Sequence, residues 1–516
     1  MRQTPLTTLI SSYVLSAFRR TLPVRLTASA KATAVRRSFT RRRKPDTTWA
    51  GFRFGARQVP MAAVAVAVAA TAGLVVPGAR SQAPQPPAQQ PPPQQPSEIS
   101  TVISGEASAA PRFAVPDFIA LSNDAETVSV AKTIAQVLWD DLTFEREFAL
   151  IPRDVYSTIP AAKSFDDVPF DRWRELNADG VIIGTVQKVS NGMQVKVRLF
   201  NVRTRQQAFG KEYGGAANAR LYAHTISDEI HEQQRALHGV ARTKLTFASD
   251  RDGERMRGTV QDRSVKEIYI ADYDGANQRR VTTSRSLNIT PTWSPDARSI
   301  AYTSYQKGTP NIYVSNIYQG TREDLTKDIG QNFLPTWSPD GTRLCFMSTR
   351  DGNAELYVVN RDGSNLRRLT NHPGIDEAPT WYPSGTQIAF TSVRTGTPQI
   401  YTIGADGLGL QKVTSESYAD RPTWSPAPYN EIAFTSRTGP GNDIKVIDLA
   451  TRQVRQLTFG EGTNESPSWS PNGRHLAFMS TRSGKSQVFT MARDGKNLKQ
   501  VTQAGNNYQP DWSHSP

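Results

Sequence analysis

The sequence predicts an α+β domain with a mixed sheet and helices, followed by an all-β six-bladed propeller. Three observations carry that prediction. The heptapeptide PTWSPDG at 335–341 returns as PTWSPDA (291–297), PTWYPSG (379–385), PTWSPAP (422–428), PSWSPNG (467–473) and PDWSHSP (510–516). Its tryptophans, Trp293, Trp337, Trp381, Trp424, Trp469 and Trp512, are spaced by 43 to 45 residues, the period of a propeller blade made of four short strands. The second observation is the middle of the unit, a strand pair of the form IAFTS…IY. It begins at Leu245, Ile300, Leu344, Ile388, Ile432 and Leu476. The first pair has no Trp strand before it, and the last Trp strand has no pair after it. The C-terminal strand is therefore expected to complete the blade begun at Leu245, which removes two open sheet edges. The third observation is that residues 98–240 lack the repeat and mix helical with strand periods.

Taken in order, residues 1–83 read as a leader. They hold 14 Lys/Arg against one acidic residue, Asp46. A basic cluster around Arg41–Lys44 precedes the 16-residue apolar run MAAVAVAVAATAGLVV (61–76) and the small-x-small triplet Ser81-Gln82-Ala83. That order predicts a cleaved secretory signal, too short to span a bilayer and leaving no integral span in the mature form. Residues 84–97 form a Pro/Gln-rich linker. In 98–240, RFAVPDFIAL (112–121) is predicted as a strand, 122–142 as a helix, FALI (148–151) as a short strand and 170–176 as a helix. Two strands flank the hairpin signal Asn191-Gly192; a third at 206–213 and a helix at 219–237 follow. Residues 241–516 are the propeller. In each unit the Trp strand turns at a Pro-Asp-Gly-like step into the IAFTS pair, and a second Gly turn leads to an outer strand.

The net charge of +14 belongs to the leader. The remaining residues carry 47 basic and 46 acidic side chains, so the body has no excess positive charge to bind nucleic acid. Sequence signatures of catalysis are absent: there is no G-x-S-x-G, no phosphate loop and no C-x-x-C. His224, His231 and His238 recur every seven residues, which separates neighbours by about 10 Å along a helix. Metal ligands on a helix need spacings of three or four, so these histidines read as a solvated or half-buried helical face. The Asp-Gly pairs read as hairpin turns; DYDGANQ lacks the twelfth-position glutamate of a calcium loop. No metal and no cofactor are expected. The repeated tryptophans read as packing anchors, and Cys345 as a small buried hydrophobe. The polar, variable loops before each Trp strand form the candidate recognition face at the channel mouth.

At these residues the chain resembles the TolB family, the periplasmic component of the Tol–Pal envelope system. The resemblance rests on EISTVISGEASAAPRFAVPDF (98–118), AHTISDEI (223–230), IADYDGANQ (270–278) and the PTWSPDG repeat. It implies a monomeric, non-enzymatic adaptor of the periplasm serving outer-membrane integrity and constriction during cell division. Its implied partners are TolA, bound through the N-terminal segment Glu98–Ala109 with Ile99, Val102 and Ile103 as anchors, and the peptidoglycan-associated lipoprotein Pal. Pal is implied to bind the channel mouth at Gln331, Asn332, Phe333, Leu334, Asp376 and Glu377. The competing class is a propeller hydrolase or lyase acting on envelope polysaccharide or peptide, which carboxylates meeting in the channel would favour.

Overall fold

The computed structural model describes residues 109–256, 264–327 and 329–515. The leader, the linker and the implied TolA anchors Ile99, Val102 and Ile103 lie outside the described residues.

The α+β domain opens with two short strands, β1 (Arg112–Ala114) and β2 (Ile119–Ala120). The sequence reads as one strand here, but Pro116 has no N–H to give a ladder and breaks the run. Helix α1 (Ala125–Glu145) starts at Asp124, whose carboxylate accepts the Thr127 N–H at 3.0 Å. It is followed by β3 (Ala149–Leu150), a 3-10 turn at Arg153–Thr158 and α2 (Phe170–Glu175). The long strands β4 (Gly180–Val189), β5 (Gly192–Asn201) and β6 (Gln207–Gly215) lead to α3 (Ala219–Arg235). The sheet order is β3-β1-β4-β5-β6, with β2 also on β4. The first pairings are parallel and the β4-β5-β6 meander is antiparallel.

Strand alternation decides what each face of this sheet packs against. Ile182 and Val186 of β4 join the core under α1 and α3, while Val181 and Ile183 join a second core under the 3-10 turn and α2. Gly184 is required at its position. The Phe118 ring lies 2.1 Å from where a Cβ would stand. The β4-β5 hairpin is shifted by one residue from the expected turn: Val189 pairs with Gly192, so the loop is Ser190-Asn191 and Gly192 takes a φ of 133° at the strand start.

The rest of the chain forms six four-stranded antiparallel sheets. Blades one to five begin at the inner strands Asn288–Trp293, Asn332–Trp337, Asp376–Trp381, Ala419–Trp424 and Asn464–Trp469. In the sixth, the terminal strand Asn507–Trp512 pairs with Lys244–Ser249, the first propeller strand. The register repeats throughout. Each blade Trp faces the residue that opens its strand pair: Trp293 faces Ile300, Trp337 Leu344, and Trp512 Leu245. The tryptophans are buried between blades, as expected of packing anchors, and Trp337 packs among Ile312, Leu325, Leu344 and Tyr357.

Every inner strand is bulged at the same place. Thr290, Leu334, Ala378, Arg421, Ser466 and Gln509 have φ between 50° and 56°, and each precedes a proline. The left-handed residue leaves the ladder there, so the proline that follows deprives no partner of a donor.

Candidate partner-binding site

The propeller channel is continuous along the inner strands. Its lower compartment, about 410 Å³, is walled by the six tryptophans and the prolines that follow them. The upper compartment, about 130 Å³, is lined by the six left-handed residues and their prolines. Between them runs a waist of Thr292, Thr336, Thr380, Thr423, Ser468 and Asp511. Asp511 is the one carboxylate of that ring. Burial raises it to about 6, against the hydrogen bonds it accepts from the Trp293 N–H and Ser468.

The α+β domain docks at the Trp end of this channel. Tyr273 of blade six donates to Asp141 of α1 at 2.7 Å, and Asp141 also holds His224 of α3 at 2.8 Å. Arg220 of α3 pairs with Asp272 and Asp274. On blade five, His475 stacks on Phe144 at 4.3 Å and meets Glu145 at 3.3 Å. His224 and His231 are thus buried rather than on a solvated face, and His238 lies beyond the end of α3. The sequence reading of these histidines missed what covers them, blade six beside His224 and Phe148 of the same domain beside His231. Burial disfavours a charged His224, but Asp141 and Asp272 outweigh it and raise the imidazole to about 9.

The opposite end, where the inner strands begin, is the mouth, and it divides the implied Pal residues into two groups. Gln331, Leu334 and Glu377 are half-buried and face the mouth region. Asn332 and Asp376 are fully buried, and Phe333 is 3% exposed. Asn332 and Asp376 stand at one step of the repeat, where a side chain ties four of the six blades to the blade before. Asn288 donates to Glu267 at 2.9 Å, Asn332 to Asn311 at 3.3 Å, Asn464 to Asp443 at 3.0 Å and Asn507 to Gln487 at 2.8 Å. Each acceptor is fixed by a threonine of its own blade, as Thr458 fixes Asp443 at 2.7 Å. An arginine from the loop ahead often closes the set, as Arg482 does on Asn464 at 3.1 Å. A buried polar group must find partners, and these find them across the seam.

Sequence reasoning, which marked the loops before each Trp strand as a set, did not single out several mouth residues. Ile329 is 58% exposed and Phe459 74% exposed, both on loops that cross from one blade to the next. Asp420 accepts from Tyr418 at 3.0 Å and from Thr391 at 3.0 Å, beside Arg421. Loss of solvent, with Asp420 next in effect, raises Glu377 to about 7.

Comparison with known proteins places this architecture. The TolB beta propeller domain matches residues 232–428 and 416–515, and the TolB amino-terminal domain matches 99–208. The chain belongs to the TolB family. A Tol-Pal system protein TolB from Desulfosudis oleivorans is 34% identical over 201 residues, 38% of this chain and 43% of that protein. Another from Alkalilimnicola ehrlichii is 33% identical over 212 residues, 41% of this chain and 46% of that protein. The matched stretches thus span less than half the length of these relatives. The crystal structure of TolB from Acinetobacter baumannii covers 81% of this chain and 98% of its own, at 25% identity and a TM-score of 0.67. The family's two-domain order, an α+β domain and then a six-bladed propeller, is therefore the order found here.

Proposed function

We propose that the protein is a periplasmic protein–protein adaptor of the Tol–Pal system. In this reading the propeller mouth binds a Pal-like outer-membrane lipoprotein, and the segment Glu98–Ala109 binds a TolA-like inner-membrane partner. The link serves outer-membrane integrity and constriction during division. The observation that carries the reading is the polarity of the propeller. The α+β domain occupies the Trp end, and at the other end, among the described residues, the mouth presents Gln331, Leu334, Glu377, Ile329 and Phe459. Export is supported by the leader sequence, and no helix among the described residues is long and apolar enough to cross a membrane.

The competing hydrolase or lyase reading draws on one observation, the neighbouring carboxylates Glu377 and Asp420 with Glu377 raised to about 7. One experiment separates the two. The mature protein is used to capture partners from membrane extracts and is incubated in parallel with peptidoglycan and polysaccharide fragments. Saturable capture of a Pal-like lipoprotein without turnover supports the adaptor. Turnover lost in Glu377→Gln, with no lipoprotein captured, overturns it.

A further inference from the structure

Two of the six positions in the seam ring lack the asparagine of the others, and one of them carries a charge. Four inner strands place an asparagine there, whose Nδ2 donates back into the preceding blade. Blade three places Asp376. Its Oδ2 accepts Arg394 Nη2 at 2.8 Å, as Asn332 Oδ1 accepts Arg350 at 3.2 Å and Asn464 Oδ1 accepts Arg482 at 3.1 Å. Its Oδ1 therefore stands where asparagine carries its N–H donors. That Oδ1 is buried and meets no hydrogen-bond partner among the described residues. Across the seam, at the place held elsewhere by Glu267, Asn311, Asp443 and Gln487, stands Glu355, also fully buried. An unpaired buried polar atom opposite a second carboxylate is costly, and two like charges at one site favour retention of one proton.

We propose that Asp376 holds a proton on the carboxyl oxygen that faces Glu355 across the seam between blades two and three, making this joint of the ring pH-dependent.

The surroundings fit a proton held on Asp376. Glu355 Oε2 already accepts Thr370 at 2.6 Å, and its Oε1 accepts Arg368 at 3.0 Å, the His372 N–H at 2.7 Å and Asn353 at 3.3 Å. The charged groups around the pair are Arg394 from blade three and Arg368 from blade two, the latter 3.7 Å from Asp351. His372 supplies no proton from Nδ1, which accepts the Gly374 N–H at 2.9 Å. Glu377 follows on the strand, with Asp420 beyond it. Burial raises the Asp376 carboxyl, and Glu355 adds to that, against Ser392 and Arg394. The next seam is also unusual. Ala419 has no side chain to reach Gln399, whose amide turns instead to the Glu416 carbonyl. Blade three thus lies between a seam that sets two carboxylates face to face and a seam whose glutamine amide stays on its own side. None of this depends on what binds the mouth.

The test is Asp376→Asn in the full chain, which restores the amide found in four other blades. A carboxyl raised in the fold binds more proton than in the unfolded chain. Wild-type stability should therefore fall as pH rises above the ordinary carboxylate range. Asp376→Asn should have a shallower slope, lacking the share Asp376 supplies, and melt about 1–3 °C above wild type at pH 8. Infrared difference spectra at neutral pH should show a protonated carboxyl in wild type that the variant lacks. Glu377→Gln should keep the slope, which separates the neighbour's titration. If Asp376→Asn fails to fold, Glu355→Gln takes its place and should also flatten the slope. An unchanged slope in the folded variant, or no protonated carboxyl removed by it, overturns the proposal.

Discussion

His224 of α3 and Asp141 of α1 lie 2.8 Å apart, and the same carboxylate receives Tyr273 of blade six at 2.7 Å. The pair that joins two helices of the α+β domain is thereby the pair that fastens this domain to the propeller. His224 is held above its ordinary value, at about 9. A raised imidazole contributes stability that is fully present below about pH 6.5 and lost as pH rises through about 9. Wild type should lose melting temperature across that window, and His224→Gln should lose clearly less. Removing one partner of a buried pair costs roughly 3–5 kcal/mol, so the variant should melt lower at pH 6. Thermal scans of both proteins from pH 6 to 10 decide the matter, and parallel curves would sink the assignment.

At the mouth, Leu334→Arg is the substitution the fold tolerates best, because blade four carries Arg421 at the same position with nearly the same φ, 52° against 56°. Combined with Gln331→Ala it should weaken capture of a Pal-like lipoprotein at least tenfold, about 1.4 kcal/mol, with the melting curve within a degree or two of wild type. Capture of a TolA-like partner should be unaffected. Equal loss of both partners in calorimetric titrations would show that the faces are assigned wrongly.

Asn332→Arg behaves differently. It buries a guanidinium where Asn311 and Arg350 already meet. Unpaired charge in a seam costs several kcal/mol, so this variant should aggregate or melt far below wild type. A soluble variant with native stability would remove Asn332 from the seam ring.

Deleting residues 508–516 takes away the strand paired with Lys244–Ser249, and with it Trp512, whose indole donates to Thr243 at 2.7 Å. Loss of a buried Trp side chain alone costs roughly 3–5 kcal/mol, and the bared edge of blade six invites association. The truncated protein should melt markedly lower and scatter light on heating. Deletion of 84–96 should leave the melting temperature nearly unchanged.

Cys345 is fully buried, and burial pushes its thiol well above the ordinary range. It should stay unreactive toward a thiol reagent in buffer and react fully in denaturant. Stoichiometric labelling of the native protein would contradict its place in the strand pair.

The propeller was legible because its signals repeat: a Trp every 43 to 45 residues, a Gly turn after it, and an unmatched half-unit at each end. Local chemistry fixed those elements and their register alike. The binding face was legible only as a set of loops. Asn332 drew attention as a polar loop residue, yet Asn288, Asn464 and Asn507 stand at the same step of other units. A polar residue that recurs with the repeat serves the repeat, and this one is buried in the seam. Ile329 and Phe459 recur nowhere, and for that reason periodicity could not find them. His224 and His231 were misread because a helix face is classified from its own neighbours, and theirs come from another part of the chain.

The strand that seals blade six also dictates the order of assembly. Thr243 and Trp512, bonded in the finished ring, are 269 positions apart in the chain. Five blades can form beside one another, but the circle stays open, with a strand edge at each lip, until that strand pairs. So distant a pairing carries a large loop-closure penalty and slows folding. The unclosed horseshoe, rather than the sealed ring, is the form most exposed to entanglement with its neighbours.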